Sequence, residues 1–138
     1  MGADQVKAKA KFTSEQEGKA VYKAIFTFKE DARLTYEDLS NILSKDSATL
    51  KRWNKEKFVP LKDKHLREAV SNFVAIFRSL AAMFSDKDDR ARWLQAPHPD
   101  LIVSPLDMLR ESFQGLLHVR AYLERLASES CSIVQILY

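Results

Sequence analysis

The sequence predicts an all-α protein, an N-terminal helix-turn-helix bundle followed by a small helical domain. Three observations predict it. Glycine and proline are scarce, three and four in 138 residues, too few for a turn-rich β fold. Apolar residues recur at three- and four-residue spacing through most of the chain. Ser, Thr and Asp stand between the periodic stretches where helix N-caps belong. The expected division is 1–13, 14–59 and 60–138.

Residues 1–13 offer Lys and Ala with little else and read as a mobile tail. Ser14 and Glu17 form a capping box, and Ala20, Val21, Ala24, Ile25 and Phe28 follow at helical spacing, so a first helix is expected from Ser14. In "LTYEDLSNILS", Thr35 can cap a second helix. Glu37 and Asp38 favour its first turn, and Leu39, Ile42 and Leu43 form its apolar stripe. "KDSATLKRWNKEKF" opens a third, capped by Asp46 or Ser47, with Leu50 and Trp53 facing inward. Val59-Pro60 breaks the pattern. A long helix is expected over 61–84, burying Leu66, Ala69, Val70, Phe73, Ile76, Phe77, Leu80 and Phe84. Ser85 is the expected cap of "SDKDDRARWLQ". Ser104 caps "SPLDMLRES", with Pro105 at the first helical position, where its missing N–H costs nothing. A last helix is expected over 114–128, followed by the apolar tail "CSIVQILY".

Composition excludes several classes. No run of 18 apolar residues exists, so no membrane span or membrane partner is expected, and the N-terminus lacks a secretory signal's apolar centre. The single cysteine, Cys131, cannot form an internal disulfide, and cytoplasm is the expected compartment. His65, His98, His118 and Cys131 show no nucleophile, base or metal-ligand spacing. Asp86, Asp88 and Asp89 lack a calcium loop's glycine and closing glutamate. No enzyme activity, catalytic residue, metal or cofactor is expected.

The net charge of +3 is unevenly placed. Residues 44–65 carry seven basic and three acidic side chains, and the remainder is nearly balanced. The excess is either a solvated face or a nucleic-acid contact. Two short capped helices joined by three residues, the second basic, form a helix-turn-helix pattern. Its outer face would project Ser47, Thr49, Lys51, Arg52, Asn54 and Lys55 toward operator DNA. This stretch resembles the helix-turn-helix of Xre/Cro-type regulators, with Thr35, Leu39, Leu43, Thr49, Leu50 and Trp53 in matching places. It departs from them at Ser40, at Ser44, where glycine is usual, and at Lys45, where an aliphatic residue is usual. The alternative to DNA contact is a purely structural motif.

The second half carries a more specific pattern. Trp93, Leu94, Pro97, Pro105, Leu106, Asp107, Met108, Leu109, Gly115, Val119 and Leu123 stand in the order and spacing of the toxin-binding domain of Xre/MbcA/ParS antitoxins, which this region resembles. Relatives commonly carry small residues, often two glycines, just before the second proline. Ile102, Val103 and Ser104 stand there in this chain, and packed side chains are expected at Ile102 and Val103; exposed, they would mark an interface. The resemblance implies a type II antitoxin that inhibits a RES-domain, NAD-consuming toxin by covering its NAD cleft. It also implies a homodimer within a larger toxin–antitoxin assembly, and repression of the pair's own operon.

Ile133, Val134, Ile136, Leu137 and Tyr138 are costly to leave in water, since each buried side chain is worth roughly 1.5–3 kcal/mol. They pack on their own domain, on a dimer partner or on a toxin. Arg110, Arg120 and Arg125 are either solvated or candidate toxin contacts. The competing reading is a stand-alone helix-turn-helix regulator whose C-terminal domain serves dimerisation.

Overall fold

A computed structural model describes the backbone of residues 2–137 and the side chains of residues 14–129. Seven helices and, among the described residues, no strand make the protein all-α: α1 Gly2–Asp31, α2 Tyr36–Leu43, α3 Ser47–Glu56, α4 Lys64–Met83, α5 Lys87–Gln95, α6 Pro105–Glu111 and α7 Phe113–Leu137.

The caps show why these residues form these elements. Thr35 Oγ1 accepts the Asp38 N–H and Asp38 Oδ2 accepts the Thr35 N–H, a reciprocal box that starts α2. Asp46, not Ser47, caps α3 by accepting the Thr49 N–H at 2.7 Å. Ser104 caps α6 ahead of Pro105, as expected. Two expected starts are corrected. Asp86 rather than Ser85 caps α5, because its carboxylate reaches the Asp88 N–H. Ser14 lies inside α1, where its strongly helix-forming neighbours carry the helix through the expected start. The mobility expected of 1–13 lies outside the described side chains.

Three helix ends share one device. Arg33, Ser44 and Lys57 take left-handed backbone with φ of 59°, 57° and 56°. The next N–H reaches back five residues in each case: Leu34 to Lys29, Lys45 to Ser40 and Phe58 to Trp53. These closures satisfy orphan carbonyls as a glycine-terminated helix would. Ser44 thus performs the turn that glycine usually performs. Lys45 keeps its ammonium near solvent, 3.8 Å from the Asp63 carboxylate.

α4 is the central helix. It buries Leu66, Ala69, Val70, Phe73, Ile76, Phe77 and Leu80, and Phe84 is half-buried at its end. It packs against α7 most extensively and against α1 through Phe28, whose ring stacks on Phe77 at 3.7 Å. The buried residues of α2 and α3, including Leu39, Leu50 and Trp53, join those of α4, α6 and α7 in a single apolar cluster.

Gly115 sets how closely α6 and α7 approach. A Cβ there would stand 2.0 Å from the Met108 carbonyl oxygen, and only glycine admits that contact without a backbone shift. The Gly115 N–H also donates to Ser112 Oγ, starting α7.

Candidate functional site

The first candidate surface is the helix-turn-helix. α2 and α3 are joined by Ser44, Lys45 and Asp46, and buried Leu50 and Trp53 anchor α3. Lys51, Arg52 and Lys55 are exposed on its outer side. Ser47 and Thr49 are half-buried. Hydrogen bonds from the Thr49 side chain and backbone, aided by Arg52 and Lys45, hold the Asp46 carboxyl below its ordinary value. Asn54 does not project outward as expected. Its Oδ1 accepts from the Tyr22 hydroxyl at 3.1 Å and its Nδ2 donates to the Tyr36 hydroxyl at 3.0 Å, so it ties α3 to α1 and α2. Sequence spacing placed Asn54 on the polar side of α3 and had no means of showing that two tyrosines lie there.

The second candidate surface is the proline segment, which is a built turn. The His98 carbonyl accepts the N–H groups of Leu101 and Ile102, at 3.0 and 2.8 Å, and the His98 ring bonds the Trp93 carbonyl. Trp93 stacks at 6.3 Å on Tyr122 of α7, with His98 packed beside both. The Tyr122 hydroxyl donates to Asp100, and burial followed by that bond pushes the phenol above its ordinary value. Of the motif residues, Leu94, Pro105, Leu106 and Gly115 are buried, Trp93 is half-buried, and Pro97 and Asp107 are exposed.

Beyond Leu101 the chain is not packed as expected. Ile102 is 85% exposed and Val103 40%. Ile102 also holds φ at 72°, a left-handed position that a β-branched side chain rarely takes. Turn geometry dictates this. With the Ile102 N–H committed to His98 and Ser104 buried as a cap, residue 102 must reverse the chain and its side chain is turned out. A small residue is the natural occupant of such a position.

The three arginines differ. Arg110 Nε lies 2.8 Å from buried Asp38, joining α6 to the capping box of α2. Arg120 donates to the Oδ1 of buried Asn72 at 2.8 Å and pairs with Glu124. Arg125 is exposed, its guanidinium 5.3 Å from the Tyr122 ring centre. Asp38 and Asn72 were not identified from sequence, since an acidic first-turn residue and a mid-helix amide carry no local sign of a distant arginine. Ile133, Val134, Ile136, Leu137 and Tyr138 lie outside the described side chains.

Among the described residues no helix is long and apolar enough to cross a membrane, and no group of three or more His, Cys, Asp or Glu could hold a metal.

A turn buttressed by Trp93, His98 and Tyr122 stands beside a glycine-tight pair of helices, and together they form one packed helical module. Residues 79–128 match the family described as the antitoxin Xre/MbcA/ParS C-terminal toxin-binding domain. Among solved structures the chain is similar to a chain of the M. tuberculosis MbcT–MbcA toxin–antitoxin complex, with 21% identity and a TM-score of 0.56 over 78% of this chain and 94% of that one. No curated protein sequence matches. Residues 79–128 thus resemble that family's toxin-binding domain, and the likeness to the solved chain is one of fold.

Proposed function

We propose that this chain is an antitoxin, without enzyme activity of its own, that inhibits a RES-domain, NAD-consuming toxin of a type II pair. Residues 60–138 act as the toxin-binding domain, with the tail from Ile133 to Tyr138 covering the toxin's NAD cleft. The observation that carries this reading is the match of 79–128 to a toxin-binding domain. The out-turned Ile102 and Val103 lie inside that span and support it, because an exposed β-branched pair on a rigid turn suits contact with a partner's apolar surface. Arg125 adds an exposed guanidinium on the same module, whereas Arg110 and Arg120 act within the chain. The helix-turn-helix represses the operon through Lys51, Arg52 and Lys55, with Ser47 and Thr49 at the start of α3. The antitoxin works in the cytoplasm as a homodimer within a larger assembly.

Co-expression tests the toxin reading. A RES-domain toxin encoded beside this gene should deplete cellular NAD alone and spare it when the antitoxin is present. Unabated NAD loss with both proteins folded and abundant would overturn the reading. A chain lacking residues 131–138 should stay folded and inhibit less.

A further inference from the structure

Ion pairs occupy many of the described cations: Arg33, Lys45, Arg67, Arg90, Arg92, Arg110, Arg120 and Arg125 each have a carboxylate within 4.0 Å. A second group has none among the described residues. It includes Lys19, Lys23 and Lys29 of α1 together with Lys51, Arg52 and Lys55 of α3. Two helices far apart in sequence thus carry cations without partners, and the fold brings the helices together.

They converge on Tyr36, the first residue of α2. The Lys29 ammonium stands 4.4 Å from the centre of its ring and the Lys51 ammonium 5.5 Å. The two charges are therefore within about 10 Å of each other, held by one aromatic quadrupole. The ring is fixed by the Tyr22–Asn54–Tyr36 string, in which Tyr36 is the acceptor, so its own hydroxyl proton has no acceptor among the described residues. A cleft of about 380 Å³ opens here between α1 and α3, with Lys23, Lys29 and Lys57 on its walls and Glu30 as its carboxylate. Three ammonium groups against one carboxylate, above a hydroxyl free to donate, form a receptor for phosphate oxygens rather than for a cation or an apolar group.

We infer that the DNA-binding surface extends beyond the helix-turn-helix onto α1, and that Lys23, Lys29 and Tyr36 grip the phosphate backbone of a DNA duplex flanking the groove that α3 enters. The inference rests on the proposal that α3 binds operator DNA. Duplex DNA is the occupant because the exposed cations of α3 sit on a helix of groove-fitting width beside this cleft. With Asn54 turned inward, cations outnumber base-reading groups. The α1 contacts therefore contribute affinity and salt dependence without sequence preference.

Fluorescence anisotropy of a labelled duplex from upstream of the gene, titrated with the full chain at several salt concentrations, tests this. Each of Lys23→Ala and Lys29→Ala should weaken binding several-fold at moderate salt and flatten the log–log salt slope by about 0.9 per lost contact. The loss should be equal on a shuffled duplex. Tyr36→Phe, which keeps the ring, should weaken binding with little change of slope. Arg78→Ala, on α4, should change neither. If both α1 variants keep the wild-type slope while Lys51→Ala and Arg52→Ala lower it, α1 makes no phosphate contact and the inference is wrong, with DNA binding by α3 intact. If the wild-type chain binds no duplex even at low salt, the DNA reading itself fails and takes the inference with it.

Discussion

Replacing Ile102 should separate the stability of the turn from its function. Ile102 holds φ at 72° with its side chain 85% exposed. A left-handed conformation costs an L-residue about 1–2 kcal/mol, and glycine is free of that cost. Glycine in turn gives up roughly 0.5–1 kcal/mol by loosening the unfolded chain. Little burial is lost, since most of the side chain already faces solvent. Ile102→Gly and Ile102→Ala remove nearly the same contacts and differ chiefly in the Cβ that makes this backbone strained. At an ordinary exposed site alanine is the more stable of the two. Here Ile102→Gly should exceed Ile102→Ala by about 0.5–1 kcal/mol, read as a shift of urea midpoint at constant m. Both variants should inhibit the toxin less well, because both lose the apolar side chain proposed to contact it. Equal or greater stability of Ile102→Ala would refute the strain argument. Full inhibition by both variants would remove Ile102 from the proposed interface, whatever their stabilities.

Other consequences are equally direct. Gly115→Ala should destabilise the fold by about 2–3 kcal/mol or more in a denaturant melt, because its Cβ meets the Met108 backbone oxygen, which must move. Arg110→Ala should cost about 1 kcal/mol, discounted for a guanidinium that is 41% exposed, and a double-mutant cycle with Asp38→Asn should recover most of it as coupling. The Asp46 carboxyl is held below its ordinary value, so the stability it contributes is complete above the unfolded carboxylate pKa near 4 and is lost as pH falls through the lower folded value. Asp46→Asn should keep the α3 cap while flattening that acid dependence, as followed by circular dichroism; an unchanged acid limb would assign the dependence to other carboxylates.

Apolar periodicity made much of the fold legible. The buried face of α4 follows its three- and four-residue spacing, and Ser104-Pro105 announced α6 because both residues act locally. The ends of α1, α2 and α3 were hidden because Arg33, Ser44 and Lys57 take the conformation that glycine normally signals. Spacing alone puts Asn54 on an outer face and leaves Arg110 either solvated or a toxin contact, because their partners, Tyr22 and Asp38, are 32 and 72 residues away in sequence. Ile102 was expected to pack because it is apolar. Backbone accounting decided otherwise, since two N–H groups converge on the His98 carbonyl and force the side chain out.

The link between Arg110 and Asp38 bears on how the two halves act together. Asp38 uses one oxygen to close the α2 capping box and the other to receive Arg110 from α6. Around this pair the apolar cores of the two halves are continuous. A hinge between them would have to expose buried Leu39, Leu43, Leu106 and Leu109, at roughly 1.5–3 kcal/mol per side chain. That cost opposes independent swinging of the helix-turn-helix about the segment near Pro60. If both proposed faces are used, binding at the toxin face would reach the DNA face as displacement of one rigid body, or as a change in how copies of that body are arranged. Any coupling between the two proposed faces should consequently survive lengthening of the 57–63 connector, because the shared core and the Arg110–Asp38 pair hold the halves together.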